Sequence, residues 1–374
     1  MAGIYIHIPY CKQACHYCDF HFSTNLNTKS DLIDAILKEI ELQKHYLLNE
    51  TIETIYFGGG TPSLLSTQEL STILQKIYEN FSIGDNPEIT LEANPDDLGQ
   101  SKLEELKAAG INRLSIGIQS FDDQILSYFN RAHNSQMAIN SVWNAKQIGF
   151  QNISIDLIFG VPNQSLDALG KDLEQALKLS VPHISIYGLT IEENTVFGKW
   201  EKQDKLTPID EDLAAEHLTL IMNTLAASGY EQYEISNFCL PGFESRHNSS
   251  YWHRKKYLGL GPAAHSYNGT ERQFNHANNI KYIKSLNSNE LPISIEKLSI
   301  EDQINEMILT QLRLKEGLNF VSLKKNFDFE LLEERKDQIQ EFLQMNMLEI
   351  DGNFLRLTSN GKLLADFITE KLII

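Results

Sequence analysis

The sequence is poor in positive charge. Its 32 Lys and Arg stand against 50 Asp and Glu, a formal net charge of −18 at pH 7, and so acidic a chain repels a phosphate backbone unless its basic residues cluster tightly. The compact basic runs, Arg254-Lys255-Lys256 and Lys324-Lys325, are short, so nucleic acid is not an expected partner. Long apolar stretches are also missing. No run approaches the roughly 18 residues of a membrane span, and nothing in the opening residues reads as a signal peptide. With 42% hydrophobic and 22% charged residues, the composition is that of an ordinary soluble globular protein, expected in the cytoplasm or another reducing compartment. Cysteine is scarce, four in 374 residues.

Three of those four fall within the first eighteen positions, in Cys11-Lys-Gln-Ala-Cys15-His-Tyr-Cys18. Thiolates at C-x3-C-x2-C spacing can hold three irons of a [4Fe–4S] cluster and leave the fourth open, since full coverage normally takes four cysteines. An open metal position usually means chemistry rather than scaffolding. The spacing alone leaves other readings. A structural zinc site could be completed by His7, His16 or His21 as a Cys3His set, giving a zinc-binding interaction protein. A disulfide would leave one of the three thiols unpaired. Cys239, between Phe238 and Leu240, reads as a free buried thiol.

The first two thirds of the chain alternate short β-type runs with amphipathic segments, the signature of successive βα units around a parallel sheet. The strands are expected over Ile4 to Ile8, Thr54 to Phe57, Glu88 to Leu91, Arg113 to Ile118, Asn152 to Ile158 and His183 to Leu189. Helical patterns run over Asp31 to His45, Thr67 to Asn80, Ser101 to Ala109, Ser135 to Ile148, Ser165 to Leu179 and Asp210 to Ser228. Thr67 ahead of Glu69, and Ser101 ahead of Glu104, suggest capped starts. Six units are fewer than the eight of a closed TIM barrel, so the expected fold is α/β, a partial (β/α)6 TIM-type barrel open on one side. Glu231 to Phe238 reads as a further strand, and the polar, turn-rich stretch from Asn275 to Pro292 as a linker. Beyond it, helices, a hairpin over Met347 to Leu357 around Asp351-Gly352-Asn353, and a last helix from near Ser359 resemble a winged helix. Residues 301–374 hold nine Lys or Arg against fourteen Asp or Glu, which argues for a packing or partner module rather than a DNA reader. The expected division is residues 1–230 for the barrel, 231–292 for a barrel-edge extension and linker, and 293–374 for a small α+β domain.

Polar residues gather at the strand ends. Gly58-Gly59-Gly60-Thr61-Pro62 follows the second strand, where glycines let a ligand approach backbone N–H and C=O groups. Glu92, Gln119 and Asp156 end or interrupt the next strands. In βα barrels the carboxyl ends of the strands form the functional face, so these groups and the cysteine loop should ring one mouth.

Taken together, these residues resemble the radical S-adenosylmethionine (SAM) proteins of the oxygen-independent coproporphyrinogen III oxidase type, over nearly the whole chain. The resemblance implies a cluster on Cys11, Cys15 and Cys18, SAM chelating the open iron, and SAM contacts from Tyr5, Tyr17, Gly59, Gly60, Thr61, Glu92, Gln119, Arg131 and Asp156. It implies a radical SAM barrel followed by a HemN-type winged-helix-like domain. Thr190 and His265 correspond by position to further SAM contacts, through backbone only. The residue types suit the roles: a guanidinium pairs with a carboxylate, and the acids and amide offer acceptors for hydroxyls or an amine.

Two features depart from the oxidase pattern. That pattern continues to a cysteine two residues after the third, where this chain has Phe20, and the oxidase carries an N-terminal extension that this sequence lacks, with strand one at Ile4. Both point to the heme-chaperone branch, whose H-N-x-x-Y-W signature is matched by His247-Asn248-Ser249-Ser250-Tyr251-Trp252. His247 is thus a candidate heme ligand, with Asn248, Tyr251 and Trp252 beside the macrocycle, although a histidine among aromatics is also a common hydrogen-bonded core residue. This branch implies heme binding and delivery to heme-acceptor proteins, an electron donor such as flavodoxin or ferredoxin, and approach to a membrane surface. The alternative activity is oxidative decarboxylation of coproporphyrinogen III to protoporphyrinogen IX.

Overall fold

The computed structural model describes residues 2–374. Six parallel strands lie side by side in chain order: β1 (Ala2–Ile8), β2 (Ile52–Gly59), β3 (Ile83–Ala93), β4 (Arg113–Gln119), β5 (Asn152–Phe159) and β6 (His183–Gly188). Alternation along each strand separates two faces. Ile4, Ile6 and Ile8, with Ile55, Phe57, Leu91, Leu114, Ile116, Ile153 and Ile155, join the main core with the surrounding helices. The residues between them, including Tyr5, His7, Thr54, Tyr56, Thr90, Glu92, Arg113, Ser115, Ser154 and His183, face the lumen. The barrel therefore has an apolar outer wall and a polar interior, and ligand chemistry belongs to the second face.

The barrel stays open because each edge is extended rather than joined. On one side β9 (Tyr257–Leu260) pairs in parallel with β1, and β10 (His265–Tyr267), β11 (Glu271–Asn275) and β12 (Ile293–Lys297) continue antiparallel. On the other, β7 (Glu231–Glu234) and β8 (Asn237–Cys239) add to β6. The single strand expected from Glu231 to Phe238 is thus a hairpin, broken where the backbone turns at Ile235 and Ser236. Cys239 is buried and free.

The stretch read as a linker is instead structural. Helix Asn279–Asn287 packs on helix Lys29–Leu42, with Tyr282 fully buried. The Tyr282 hydroxyl donates to Glu39 Oε2 at 2.5 Å, and the same carboxylate accepts from Gly261 N at 2.8 Å and Asn275 Nδ2 at 2.7 Å. Burial pushes the Glu39 pKa up to about 7 despite these donors. The main sheet consequently continues through Lys297, past the boundary drawn at residue 293.

Helix caps also differ in detail. Helix Thr67–Asn80 has the expected bounds, but its capping box is Ser66 with Glu69. Helix Gln100–Ala108 starts behind Gly99, so Ser101 lies inside its first turn and caps nothing. The C-terminal residues build a separate core around Ile308, Leu312, Leu323, Leu355 and Ile368. Its three-stranded sheet, ordered β13 (Leu318–Asn319), β15 (Phe354–Leu357), β14 (Leu348–Asp351), contains the expected hairpin. Lys362 Nζ to Gln232 Oε1 at 2.9 Å and the Arg272–Glu306 ion pair at 2.8 Å hold this unit to the barrel edges.

Candidate functional site

The cysteine loop leaves the carboxyl end of β1 and is pinned on both flanks. Cys11 N donates to Ser23 O at 3.0 Å and Ser23 N to Pro9 O at 2.7 Å, closing its neck. His16 N donates to Phe129 O at 3.1 Å, and Asn130 Nδ2 to Ala14 O at 2.7 Å. Lys12 pairs with Asp96 at 2.9 Å and also with Asp97. Beyond its neck, the loop is thus held by contacts more than 80 residues away in sequence.

All three thiols remain partly accessible. Burial raises the pKa of Cys11, and pushes that of Cys18 up to about 11, with repulsion from the neighbouring cysteines adding to both. Burial that disfavours the Cys11 and Cys18 thiolates suits a cationic iron–sulfur core, which supplies the positive charge that thiolate formation needs. Of the three histidines open to the zinc alternative, His7 has both ring nitrogens engaged, whereas His16 and His21 each engage one. His7 Nε2 donates to the His21 carbonyl at 2.9 Å and its Nδ1 accepts from the Tyr5 hydroxyl at 3.0 Å. His16 Nδ1 donates to Tyr128 O at 2.9 Å, with the ring against Trp200, and His21 Nε2 bonds Asn279 Oδ1 at 2.7 Å.

Two hydrogen-bond networks gather the predicted SAM residues. In the first, Arg131 donates to Cys15 Sγ at 3.3 Å, Tyr17 Oη at 3.4 Å, Asn94 Oδ1 at 2.6 Å and the Gly117 carbonyl at 2.7 Å. Asn94 Nδ2 donates to Thr61 Oγ1 at 3.2 Å. Gln119 adopts φ +71°, and its Nε2 comes so close to Gly117 that a Cβ there would lie 2.9 Å away. Arg131 Nε is buried with no hydrogen-bond partner among the described residues, a donor left over for a bound group.

The second network surrounds Glu92. Its carboxylate accepts from the Tyr56 hydroxyl at 2.8 Å and from Gly59 N at 3.1 Å, and burial pushes its pKa up to about 7. Gly59 has φ +111°, and a Cβ on it would sit 2.6 Å from the His7 ring; one on Gly60 would sit 2.7 Å from the Tyr10 carbonyl oxygen. Gly60 is required by backbone approach, and Gly59 by its positive φ and the His7 ring beside it. Asp156 accepts from Ser115 Oγ, and burial raises its pKa as well. The donor set, the glycine cradle and the unpartnered guanidinium nitrogen fit a cluster with an amino-acid-bearing nucleoside beside it.

His247 lies beneath the cavity surface and does not line it. It is 1% exposed on helix Arg246–Trp252, with Nδ1 bonded to Thr54 Oγ1 at 2.7 Å and Nε2 to the Tyr251 hydroxyl at 2.8 Å. Its ring stacks on Tyr56 at 4.9 Å, and burial, then Arg113, lower its pKa to about 3. With both ring nitrogens hydrogen-bonded, His247 anchors the helix to the barrel floor in this structure. The Asn248 backbone N–H is spent on the Ser245 cap. Tyr251 and Trp252, by contrast, reach a cavity of about 490 Å³, shared with Asp19, Phe20 and His21 of the cysteine loop and with His265. Phe20 is 71% exposed there. Thr190 is exposed beyond the end of β6.

Sequence reasoning missed Asn94, which links Arg131 to Thr61, and Arg113, which is buried in the lumen. The signal for Asn94 was present: it lies two residues after Glu92, on the same face by strand alternation. Among the described residues no helix is long and apolar enough to cross a membrane.

Comparison with known proteins gives the family and the fold. Residues 5–176 match the Radical SAM superfamily and residues 298–364 the HemN C-terminal domain. The protein named heme chaperone HemW from Lactococcus lactis subsp. lactis is 35% identical over 370 residues, covering 99% of this chain and 97% of its own length. The HemW of Bacillus subtilis is 34% identical, covering 98% of this chain and 97% of its own length. In fold, the coproporphyrinogen III oxidase HemN of Escherichia coli superposes with a TM-score of 0.85 at 21% identity, over 100% of this chain and 90% of that one. With its radical SAM barrel, its HemN-type C-terminal unit and this full-length similarity, the chain belongs to the HemW family of radical SAM heme chaperones.

Proposed function

We propose that this chain binds heme in the cavity beside its cysteine loop and hands it to acceptor proteins, with a [4Fe–4S] cluster on Cys11, Cys15 and Cys18 and SAM at the open iron. SAM would be held by Tyr5, Tyr17, Gly59, Gly60, Thr61, Glu92, Gln119, Arg131 and Asp156. The cluster with SAM supplies one-electron chemistry when reduced. The chain's own residues orient SAM: Arg131 suits its carboxylate, and Glu92 and Asp156 suit its amine or ribose hydroxyls. The observation that carries the heme reading is the shared cavity, in which Tyr251 and Trp252 of the motif helix meet Phe20 of the cysteine loop. An aromatic-walled cleft beside a redox centre suits a flat macrocycle. Heme acceptors and a one-electron donor of the flavodoxin or ferredoxin kind are the expected partners.

The test is anaerobic reconstitution with iron and sulfide, followed by SAM, reductant and either hemin or coproporphyrinogen III. The chaperone reading expects broad iron–sulfur absorption, a Soret band from bound heme, transfer to an apo-hemoprotein, and no protoporphyrinogen. Sustained protoporphyrinogen production would replace it with the oxidase reading, and zinc in place of iron would remove both.

A further inference from the structure

We propose that His265 is the residue that ligates the iron of heme bound in this cavity, with Lys255 facing a heme carboxylate. The proposal rests on the heme-binding reading above and names the side chains that carry it. Three histidines line the cavity: His7, His21 and His265. His7 has both ring nitrogens committed, and His21 has one committed to Asn279. His265 is exposed, and neither of its ring nitrogens makes a hydrogen bond among the described residues. Its ring is steadied by Phe274, with centroids 5.6 Å apart. Burial and then Arg272 lower its pKa, favouring the neutral imidazole that binds metals.

The chain is shaped to bring this histidine to the cavity. A Cβ on Gly259 would lie 2.0 Å from the His265 carbonyl oxygen, and one on Gly261, at φ +96°, would lie 2.4 Å from the His7 carbonyl oxygen. Gly259 is therefore needed for β10 to turn back against β9, and Gly261 for the turn between them to pass close to β1. Tyr251 and Trp252 supply aromatic surface in the same cavity. Of the cavity's cations, Arg272 is paired with Glu306, and Arg254 donates to the Tyr267 hydroxyl at 2.9 Å with Glu306 at 3.7 Å. Lys255 is exposed, and its ammonium has no carboxylate partner among the described residues, which leaves it for a propionate. Ligation places the imidazole lone pair on ferric iron in exchange for water, with no change of oxidation state.

The experiment is a hemin titration of the full chain, read by the Soret and charge-transfer bands and by electron paramagnetic resonance. In His265→Ala the nitrogen-ligated spectrum is lost, affinity falls at least about tenfold, and free imidazole restores the spectrum. His21→Ala leaves the spectrum unchanged. Lys255→Ala weakens hemin binding by roughly three- to fivefold, the scale of an exposed ion pair, without a spectral change, and the difference vanishes with heme dimethyl ester. An unchanged spectrum in His265→Ala, or loss of ligation in His21→Ala, overturns the assignment while leaving the heme reading standing. A wild-type chain that binds no hemin takes both down.

Discussion

His247→Ala separates a structural from a ligand role for the most conspicuous residue of the H-N-x-x-Y-W motif. The imidazole fills a buried site between Tyr5 and Tyr56 and bonds both Thr54 and Tyr251. Truncation leaves the Thr54 hydroxyl without this partner in the interior, at a cost of about 1–3 kcal/mol, with a similar charge for the Tyr251 hydroxyl if it stays dry. Loss of the aromatic stacking adds about 0.5–1.5 kcal/mol. Partial relaxation makes about 3–5 kcal/mol a reasonable total, in the upper range for one substitution. The assay is urea unfolding followed by tryptophan fluorescence, alongside hemin spectra of the folded fraction. The expected result is a large loss of stability with the heme ligation signature of the remaining folded protein unaltered. Unchanged stability together with a lost signature would refute the reasoning and return His247 to the iron.

Three further outcomes follow from the geometry. Gly60→Ala forces a methyl against backbone atoms of Ile8 and Tyr10, beside Cys11; about 1–3 kcal/mol of strain should displace the loop, and iron content per chain after reconstitution should fall. Arg131→Ala should weaken SAM binding, measured calorimetrically on the reconstituted protein, by roughly tenfold or more, because a charged hydrogen-bond partner is worth about 1.5–3 kcal/mol; unchanged affinity would remove Arg131 from the site. Acid should unfold the chain early: His7 and His133 are held at about 4 and His247 at about 3, against 6.5 unfolded. Because the unfolded chain takes up protons that these folded sites refuse, their contribution is present above pH 6.5 and is lost as pH falls toward 4. Glu39 and Glu92, each raised to about 7 from 4.5, and Asp172, raised to about 6 from 3.8, work in the opposite sense, their stabilising protonated states being lost as pH rises through those values. Urea midpoints measured from pH 8 to pH 4 check the balance, and a midpoint that rises steadily toward pH 4 would contradict it.

Local pattern was enough for the barrel and for much of its mouth. Apolar residues at every second position mark β1 to β6 because each strand has one wall against helices, and that same alternation sends Glu92 and Asp156 inward. The cysteine spacing and the glycine turn carry their chemistry within a few residues of chain, so they are readable without a fold. The absence of cysteine at Phe20 separated two branches of one family in the same way.

What sequence could not determine depends on partners brought from far along the chain. Nothing near Tyr282 announces that its hydroxyl will meet Glu39, 243 residues earlier, and turn an apparent linker into a packed helix. His247 sits in a ligand-like motif, and only the tertiary structure reveals its burial against Thr54 and Tyr251. The reverse holds for His265, whose sequence surroundings say little and whose availability is decided by β10 folding against β9 at Gly259. The residues capable of the chemistry are thus written in the chain, whereas which of them remain free to do it is settled by tertiary hydrogen bonding, because a polar group that the fold has already paired has no lone pair or proton left for a ligand.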